Sequence, residues 1–160
     1  MSVKIYTDGS AKGNPGPGGY GIVLLSDEGH RKEVAKGFRK TTNNRMELLS
    51  VIVALEMLKA SPMDVVVYSD SKYVVDAVVK KWVFAWEKNF FDKKKNVDLW
   101  KRFLKVYKRH QVSFVWVKGH NNNIENERCD KLAVAAAEAQ KLHQIDQGYE
   151  NSQNQNLKLL

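Results

Sequence analysis

Four acidic residues, Asp8, Glu47, Asp70 and Asp130, lie at positions from which metal-dependent chemistry is possible. Asp8 and Asp70 each end a short segment with the pattern of a strand, and sites in open α/β sheets form outside the carboxyl ends of such strands. Glu47 falls in the first turn of a predicted helix, and Asp130 shares a helical side with apolar residues. Inward-facing acids without basic neighbours are unstable as free anions, so such a group requires a cation.

The ligand chemistry of these acids favours a hard metal ion. An all-oxygen set suits Mg²⁺ or Mn²⁺, and a chain with four histidines and one cysteine disfavours zinc. Two such ions about 3.5–4 Å apart would stabilise the attacking and leaving oxygens of phosphodiester cleavage. No hydroxyl or thiol has an obvious activating base, so water is the expected nucleophile. His120 lies in a glycine- and asparagine-rich loop and could shuttle a proton, although a loop histidine is equally compatible with a plain surface residue.

Each acid also has a purely structural interpretation. Asp8 could belong to a turn, and Asp130 could be a surface acid. Glu47 fits the third position of a capping box led by Asn44, and Asp70 could cap the helix that follows it. Each structural interpretation is favoured when its residue is taken singly, whereas the four acids together favour a metal site.

The period of the apolar residues predicts the elements that must position these acids. Strands are expected at 3–8, 20–25, 31–38, 65–68 and 112–116, the first three as an antiparallel meander. Helices are expected at 44–60, 71–79, 97–107 and 124–142. This order predicts an α/β fold with a mixed five-stranded sheet, three strands antiparallel and two parallel, flanked by helices.

Length and composition predict one globular domain. The 160 residues are 43% hydrophobic and 28% charged, which is typical of a globular chain. We expect a folded domain over residues 1–142 and a polar, mobile C-terminal tail over residues 143–160. A single cysteine, no signal peptide and no long apolar run lead us to expect a cytoplasmic protein.

The net charge of +8 is concentrated in one segment. Between Lys80 and Arg109 there are eleven basic and three acidic residues, which gives +8, and the rest of the chain sums to zero. A neutral body with one basic appendage indicates a surface that binds a polyanion. A solvated helical face is an equally acceptable interpretation of a charge run considered alone.

Six strings in order along the chain carry a family resemblance. They are Tyr6-Thr7-Asp8-Gly9-Ser10, Gly13-Asn14-Pro15-Gly16, Thr42-Asn43-Asn44-Arg45-Met46-Glu47-Leu48, Tyr68-Ser69-Asp70-Ser71, Trp116-Val117-Lys118-Gly119-His120 and Asn126-Glu127-Arg128-Cys129-Asp130. Together they closely resemble bacterial ribonuclease HI, over about residues 3–137. Each string is weak alone, but six with compatible spacing are specific.

The resemblance implies a fold of the ribonuclease H type and cleavage of the RNA strand of RNA/DNA hybrids, leaving 5′-phosphate and 3′-hydroxyl ends. It also implies Mg²⁺ as the cofactor, with two ions when substrate is bound, and a monomer without an additional hybrid-binding domain. The metal ligands implied are Asp8, Glu47, Asp70 and Asp130, and the catalytic histidine implied is His120. The hybrid contacts implied are Asn14, Asn43 and Asn44 in the minor groove and Thr42 beside a phosphate of the DNA strand.

The basic segment matches the family's basic protrusion, at about residues 80–96. The positions implied to contact substrate are Lys80, Lys81, Trp82, Trp86 and Lys88. We expect the aromatic residues among them mainly to pack the protruding helix. Three departures from the family pattern stand out. Lys72 replaces a usual glutamine, which favours a phosphate contact there, Ile124 replaces a usual proline, and the loop at residues 92–96 is shortened.

Two other functions remain open at this point. An integrase-like nuclease of the same fold would cut DNA duplexes instead. A catalytically silent nucleic-acid-binding module would need the lysines but not the four acids, which repel phosphate unless metal ions offset them.

Overall fold

The computed structural model of the protein describes residues 2–119 and 123–158, with side chains up to residue 156. Five strands form one sheet in the order β3-β2-β1-β4-β5. The strands are β1 (Ser2–Ala11), β2 (Gly16–Ser26), β3 (Arg31–Thr41), β4 (Asp64–Ser69) and β5 (Gln111–Trp116). β1, β2 and β3 pair antiparallel, whereas β4 pairs parallel with both β1 and β5, so the predicted mixed sheet is confirmed.

Helices cover both faces of the sheet. They are α1 (Asn43–Glu56), α2 (Lys72–Val79), α3 (Trp82–Lys88), α4 (Val97–Tyr107), α5 (Ile124–Glu138) and α6 (Gln147–Lys158). α1 ends earlier than predicted, because the amide of Leu58 donates to Leu55 in a tight last turn well before Pro62. The predicted helix 124–142 divides into α5 and a 3₁₀ turn, Gln140–Leu142.

The two faces of the sheet pack differently. Between the sheet, α1 and α4 lies an apolar core that includes the fully buried Trp100 and Phe103. On the other face, α5 approaches the sheet so closely that a Cβ at Gly21 or Gly37 would collide with its backbone carbonyls. Glycine therefore lets a helix lie directly on β2 and β3.

The first residues of the C-terminal segment pack on the body of the protein. Gln144 forms a parallel bridge with Phe38, and Asp146 and Tyr149 are buried. The polar sequence hides this packing because Asp146 is buried by pairing with Arg45, which lies far away in the chain. The division of the chain at residue 142 stays a prediction.

None of the helices in the described ranges has both the length and the apolar character needed to cross a membrane.

Candidate active site

A close contact between β1 and α1 brings the first two acids together. A Cβ at Gly9 would collide with the backbone amide of Glu47, so only glycine lets the strand approach α1 here. Glu47 lies in the second turn of α1 and not in the first turn as predicted, because the helix begins at Asn43. Side chains alternate along the strand, and Asp8 therefore projects to the opposite face from Gly9. Its Oδ1 accepts a hydrogen bond of 2.9 Å from the amide of Gly9.

The third acid comes from the neighbouring parallel strand. Asp70 directly follows β4, which pairs with β1 in the middle of the sheet. Asp8, Glu47 and Asp70, hereafter the carboxylate cluster, each offer an oxygen such that these atoms lie within 4.8 Å of one another. Three of the four predicted acids, one within β1, one directly after β4 and one on α1, therefore lie close together.

Burial makes this arrangement electrostatically unfavourable without a cation. Asp8 and Glu47 are each 5% exposed. Burial, followed by the negative charge of Asp70, raises the pKa of Asp8 to about 8. Burial and the charges of Asp8 and Asp70 raise the pKa of Glu47 well above its usual value, and Glu47 Oε2 is buried without a hydrogen-bond partner. An orphaned oxygen in a buried group of acids fits a site for a hard divalent cation.

The fourth acid stands at the margin of the carboxylate cluster. Asp130 is half-buried on α5, and its negative charge contributes to the raised pKa of Asp8. His120 lies outside the described residues. The residue before it, Gly119, is so placed that a Cβ there would come 3.2 Å from Oδ2 of Asp70. The chain therefore enters the histidine loop directly beside the carboxylate cluster.

The structural alternatives for three of the acids do not hold. Asp8 lies within β1 rather than in a turn. Thr42, not Asn44, caps α1, since its side chain accepts from the amide of Arg45, and Ser71 rather than Asp70 caps α2. The cap of each helix is therefore a hydroxyl group, that of Thr42, two residues before Asn44, and that of Ser71, one residue after Asp70.

Comparison with known proteins identifies the family. The family model of RNase H matches residues 1–138. This chain belongs to the ribonuclease H family. It is 53% identical over 153 residues to ribonuclease H of Trichodesmium erythraeum, covering 92% of this chain and 96% of that protein. It is 48% identical over 153 residues to ribonuclease HI of a Synechocystis species, covering 92% and 94%.

Solved ribonuclease H structures share the fold. LC9-RNase H1, a type 1 RNase H with the type 2 active-site motif, superposes with a TM-score of 0.75 at 34% identity, covering 85% of this chain and 72% of that one. LC11-RNase H1, solved in complex with an RNA/DNA hybrid, gives a TM-score of 0.63 at 29% identity, covering 84% of this chain and 96% of that one.

Four residues that the family resemblance implies as contacts of the hybrid lie at the start of α1. Asn43 and Asn44 are exposed in its first turn. Asn14 belongs to the β1–β2 connection, and its Oδ1 accepts a hydrogen bond of 3.1 Å from the amide of Asn43. Thr42 is half-buried as the cap of α1. These four residues therefore form one polar surface one helical turn from Glu47.

The basic protrusion of this ribonuclease H is built around aromatic packing. Trp86 lies edge-on to the buried Trp100, with ring centroids 5.7 Å apart. Trp82 is 46% exposed, and the ammonium of Lys80 lies 5.2 Å from its ring centroid. Trp86 is thus tied to the core, whereas Trp82 is available to a ligand. Lys81 and Lys88 are exposed at the two ends of α3.

Trp116 lies next to the carboxylate cluster, although the sequence alone indicated no role for it. Its indole N–H donates a hydrogen bond of 3.1 Å to the carbonyl of Asp70, and the ammonium of Lys72 lies 4.7 Å from its ring centroid. Lys72, expected to contact phosphate, is therefore held beside Asp70. The signal lay in the strand ends, because Asp70 directly follows β4, Trp116 ends the adjacent parallel strand β5, and parallel neighbours end at the same edge.

Proposed function

We propose that this chain is a divalent-metal-dependent endonuclease that hydrolyses the RNA strand of RNA/DNA hybrids. The carboxylate cluster carries the proposal, because two buried acids and a half-buried one, with oxygens within 4.8 Å of one another, can all be charged at neutral pH only beside a cation. Membership of the ribonuclease H family and the hybrid-bound relative LC11-RNase H1 support the substrate class.

Asp8, Glu47, Asp70 and Asp130 would hold the metal. Their oxygens suit Mg²⁺, with Mn²⁺ as a substitute, and two ions are expected when substrate is present. Such ions supply a water of lowered pKa and charge stabilisation at the phosphate. Asp8 and Glu47 lose their protons as the cation binds, since only the charged carboxylates are good ligands.

His120 would move a proton at the reaction centre, giving products with 5′-phosphate and 3′-hydroxyl ends. The placement of Gly119 against Asp70 supports this role, because it delivers the loop to the carboxylate cluster. A histidine titrates near neutral pH and can both take and release a proton there.

Two surfaces would hold the hybrid. Asn14, Asn43 and Asn44 would contact it in the minor groove, where 2′-hydroxyls distinguish RNA from DNA, and Thr42 would contact a phosphate of the DNA strand. The other surface would bind phosphates of the DNA strand through charge, an affinity that falls steeply with salt. It would comprise Lys80, Lys81, Trp82 and Lys88. Trp86 would hold this surface against the core, and Lys72 would contact a phosphate beside Asp70.

We also propose that the enzyme acts as a monomer in the cytoplasm. All four proposed metal ligands come from one chain, and the one cysteine, Cys129, is buried and has no second cysteine to pair with. Light scattering at micromolar concentration tests the oligomeric state.

Cleavage of end-labelled RNA tests the proposed function. The same RNA is presented alone, paired to RNA and paired to DNA, each with Mg²⁺ or with EDTA. We expect cutting only of the DNA-paired RNA and only with Mg²⁺. Asp8→Asn should abolish cutting yet keep hybrid binding, because it removes a metal ligand and no phosphate contact.

The other outcomes separate the alternatives. Cutting of a control DNA duplex would indicate an integrase-like nuclease, and tight hybrid binding without any cutting would indicate a silent binding module. Full turnover by Asp8→Asn would contradict the assignment of the carboxylate cluster as the metal site.

A further inference from the structure

A polar groove of about 870 Å³ runs from the start of α1 to the C-terminal helix. One side is formed by the polar surface at α1, including Asn14, Thr42 and Asn44, and another by Lys94 and Lys95 of the basic protrusion. The remaining side is α6, which contributes Asn151, Ser152, Gln155 and Asn156. A segment that composition marked as a tail thus lines the same groove as residues expected to bind substrate.

The charge of the groove suits a polyanion. Arg45 and Asp98 both line it and pair at 2.7 Å, and Arg45 also pairs with the buried Asp146, so these three groups carry one net negative charge. The two positive charges of Lys94 and Lys95 exceed it and set the sign of the potential. The acid of α6, Glu150, is not part of the lining and pairs with Arg39 at 2.7 Å.

The groove side of α6 is a row of neutral hydrogen-bonding groups. Residues 151 and 155, and likewise 152 and 156, are four apart and share one side of the helix. Gln153 also lines the groove, whereas Asn154 does not. Side-chain amides donate to phosphate oxygens, and so fix a nucleic acid in place without reading its sequence.

α6 is held in position against α1. The carboxylate of Asp146 accepts from Arg45 Nε at 2.8 Å and from Thr41 Oγ1 at 2.7 Å, and it also accepts from the amide of Tyr149 at the start of α6. A Cβ at Gly148 would collide with the carboxylate of Asp98. The helix therefore presents its row of amides from a fixed place, which lowers the entropy lost on binding.

We propose that α6 is a third wall of the substrate channel and contacts the sugar–phosphate backbone of the hybrid. Lys94 and Lys95 neutralise phosphates, and the side-chain amides of Asn151, Gln155 and Asn156 donate hydrogen bonds to their oxygens. This inference rests on the proposed function, and it assigns a binding role to a segment outside residues 1–142.

A pair of charge variants in the C-terminal segment tests it. Asn151→Asp/Asn156→Asp adds two negative charges on the groove side of α6, and Gln144→Glu/Asn154→Asp adds the same charge at two exposed positions that do not line the groove. We expect the groove pair to raise KM for a hybrid about fivefold at low salt, an effect that high salt removes. The control pair should stay close to the unchanged protein. Hybrid Kd in EDTA, measured by fluorescence anisotropy, should change in parallel, and circular dichroism checks folding of each variant.

Shortening the chain gives a second test. A stop after Glu150 removes the α6 wall but keeps Asp146 and Tyr149, and it should also weaken hybrid binding. Equal KM and Kd for the two charge pairs, or full affinity in the shortened protein, would overturn the inference. Absence of hybrid cleavage and binding in the unchanged protein would instead refute the proposed function.

Discussion

The ion pair between Arg45 and Asp146 joins the C-terminal segment to α1, and replacing Asp146 by Asn should destabilise the protein measurably. The two side chains are only 4% and 6% exposed. Arg45 donates two hydrogen bonds to this carboxylate, Nε to Oδ2 at 2.8 Å and Nη2 to Oδ1 at 2.9 Å. Asn has nearly the same shape, but its NH2 group replaces an oxygen that accepts from Arg45 and from either Thr41 or Tyr149, so the change removes the charge and one acceptor.

The magnitude follows from what remains around Arg45. Removing one partner of a buried pair costs about 3–5 kcal/mol when the other charge is left uncompensated. Here Asp98 stays paired with Arg45 but is 48% exposed, so it offsets part of the loss. We therefore expect the free energy of unfolding to fall by about 2–3 kcal/mol, and the melting temperature by roughly 5–10 °C for a domain of this size.

Urea and thermal unfolding followed by circular dichroism measure this loss. Glu150→Gln is the matched control, because it breaks an ion pair, Arg39–Glu150, that also joins α6 to the rest of the protein. The side chain of Arg39 is 59% exposed. Solvent screens that pair, so the control should unfold almost as the unchanged protein does. Arg45→Met combined with Asp146→Asn should cost less than the sum of the two single changes.

A loss no larger than that of the Glu150→Gln control would refute the reasoning. It would mean that burial of the Arg45–Asp146 pair contributes nothing beyond a surface contact. Strict additivity in the cycle would likewise show that the two charges are not coupled.

Two further predictions concern the carboxylate cluster and the protrusion. Because the folded pKa values of Asp8, about 8, and Glu47 are raised, the metal-free protein should lose stability as pH rises from about 4 to 8. In melting curves, Mg²⁺ should raise the melting temperature more at pH 8 than at pH 5. Asp8→Asn should stabilise the metal-free protein at pH 8. The reverse pH trend would contradict burial and charge repulsion as the cause of the raised pKa values. Trp86→Ala should cost about 2 kcal/mol of stability because its ring packs on Trp100, whereas Trp82→Ala should mainly weaken hybrid binding. Urea unfolding and anisotropy separate these effects, and equal losses for both variants would count against the assignment.

Local patterns predicted most of the sheet. The alternation in β1 and the apolar run in β4 are properties of a few adjacent residues, so these strands followed from the chain alone. Asp8 and Asp70 lie close together because each is two residues beyond the last pair, Tyr6 and Tyr68, of the neighbouring parallel strands β1 and β4. The chain belongs to the family that its six strings resembled.

Local patterns did not predict which side chains meet when they are far apart in the chain, or which of several nearby polar residues caps a helix. The cap of α1 is Thr42 rather than Asn44. Both residue types are common helix caps, so the sequence does not decide between two such residues that are two positions apart. Trp116 reaches Asp70 only through the register of β4 and β5. The structure of the C-terminal segment was missed because its composition resembles that of a solvated tail.

The sequence by itself determined the type of chemistry, since acid, asparagine and lysine side chains and their order along the chain limit which ions and polyanions can bind. Only the tertiary structure decided how buried the acids are and what lies opposite them. Burial raises the pKa of Asp8 and Glu47, and pairing with Arg45 lets Asp146 anchor α6 beside the groove. Both effects depend on desolvation by residues far away in the chain, and no local pattern of residue types records that environment.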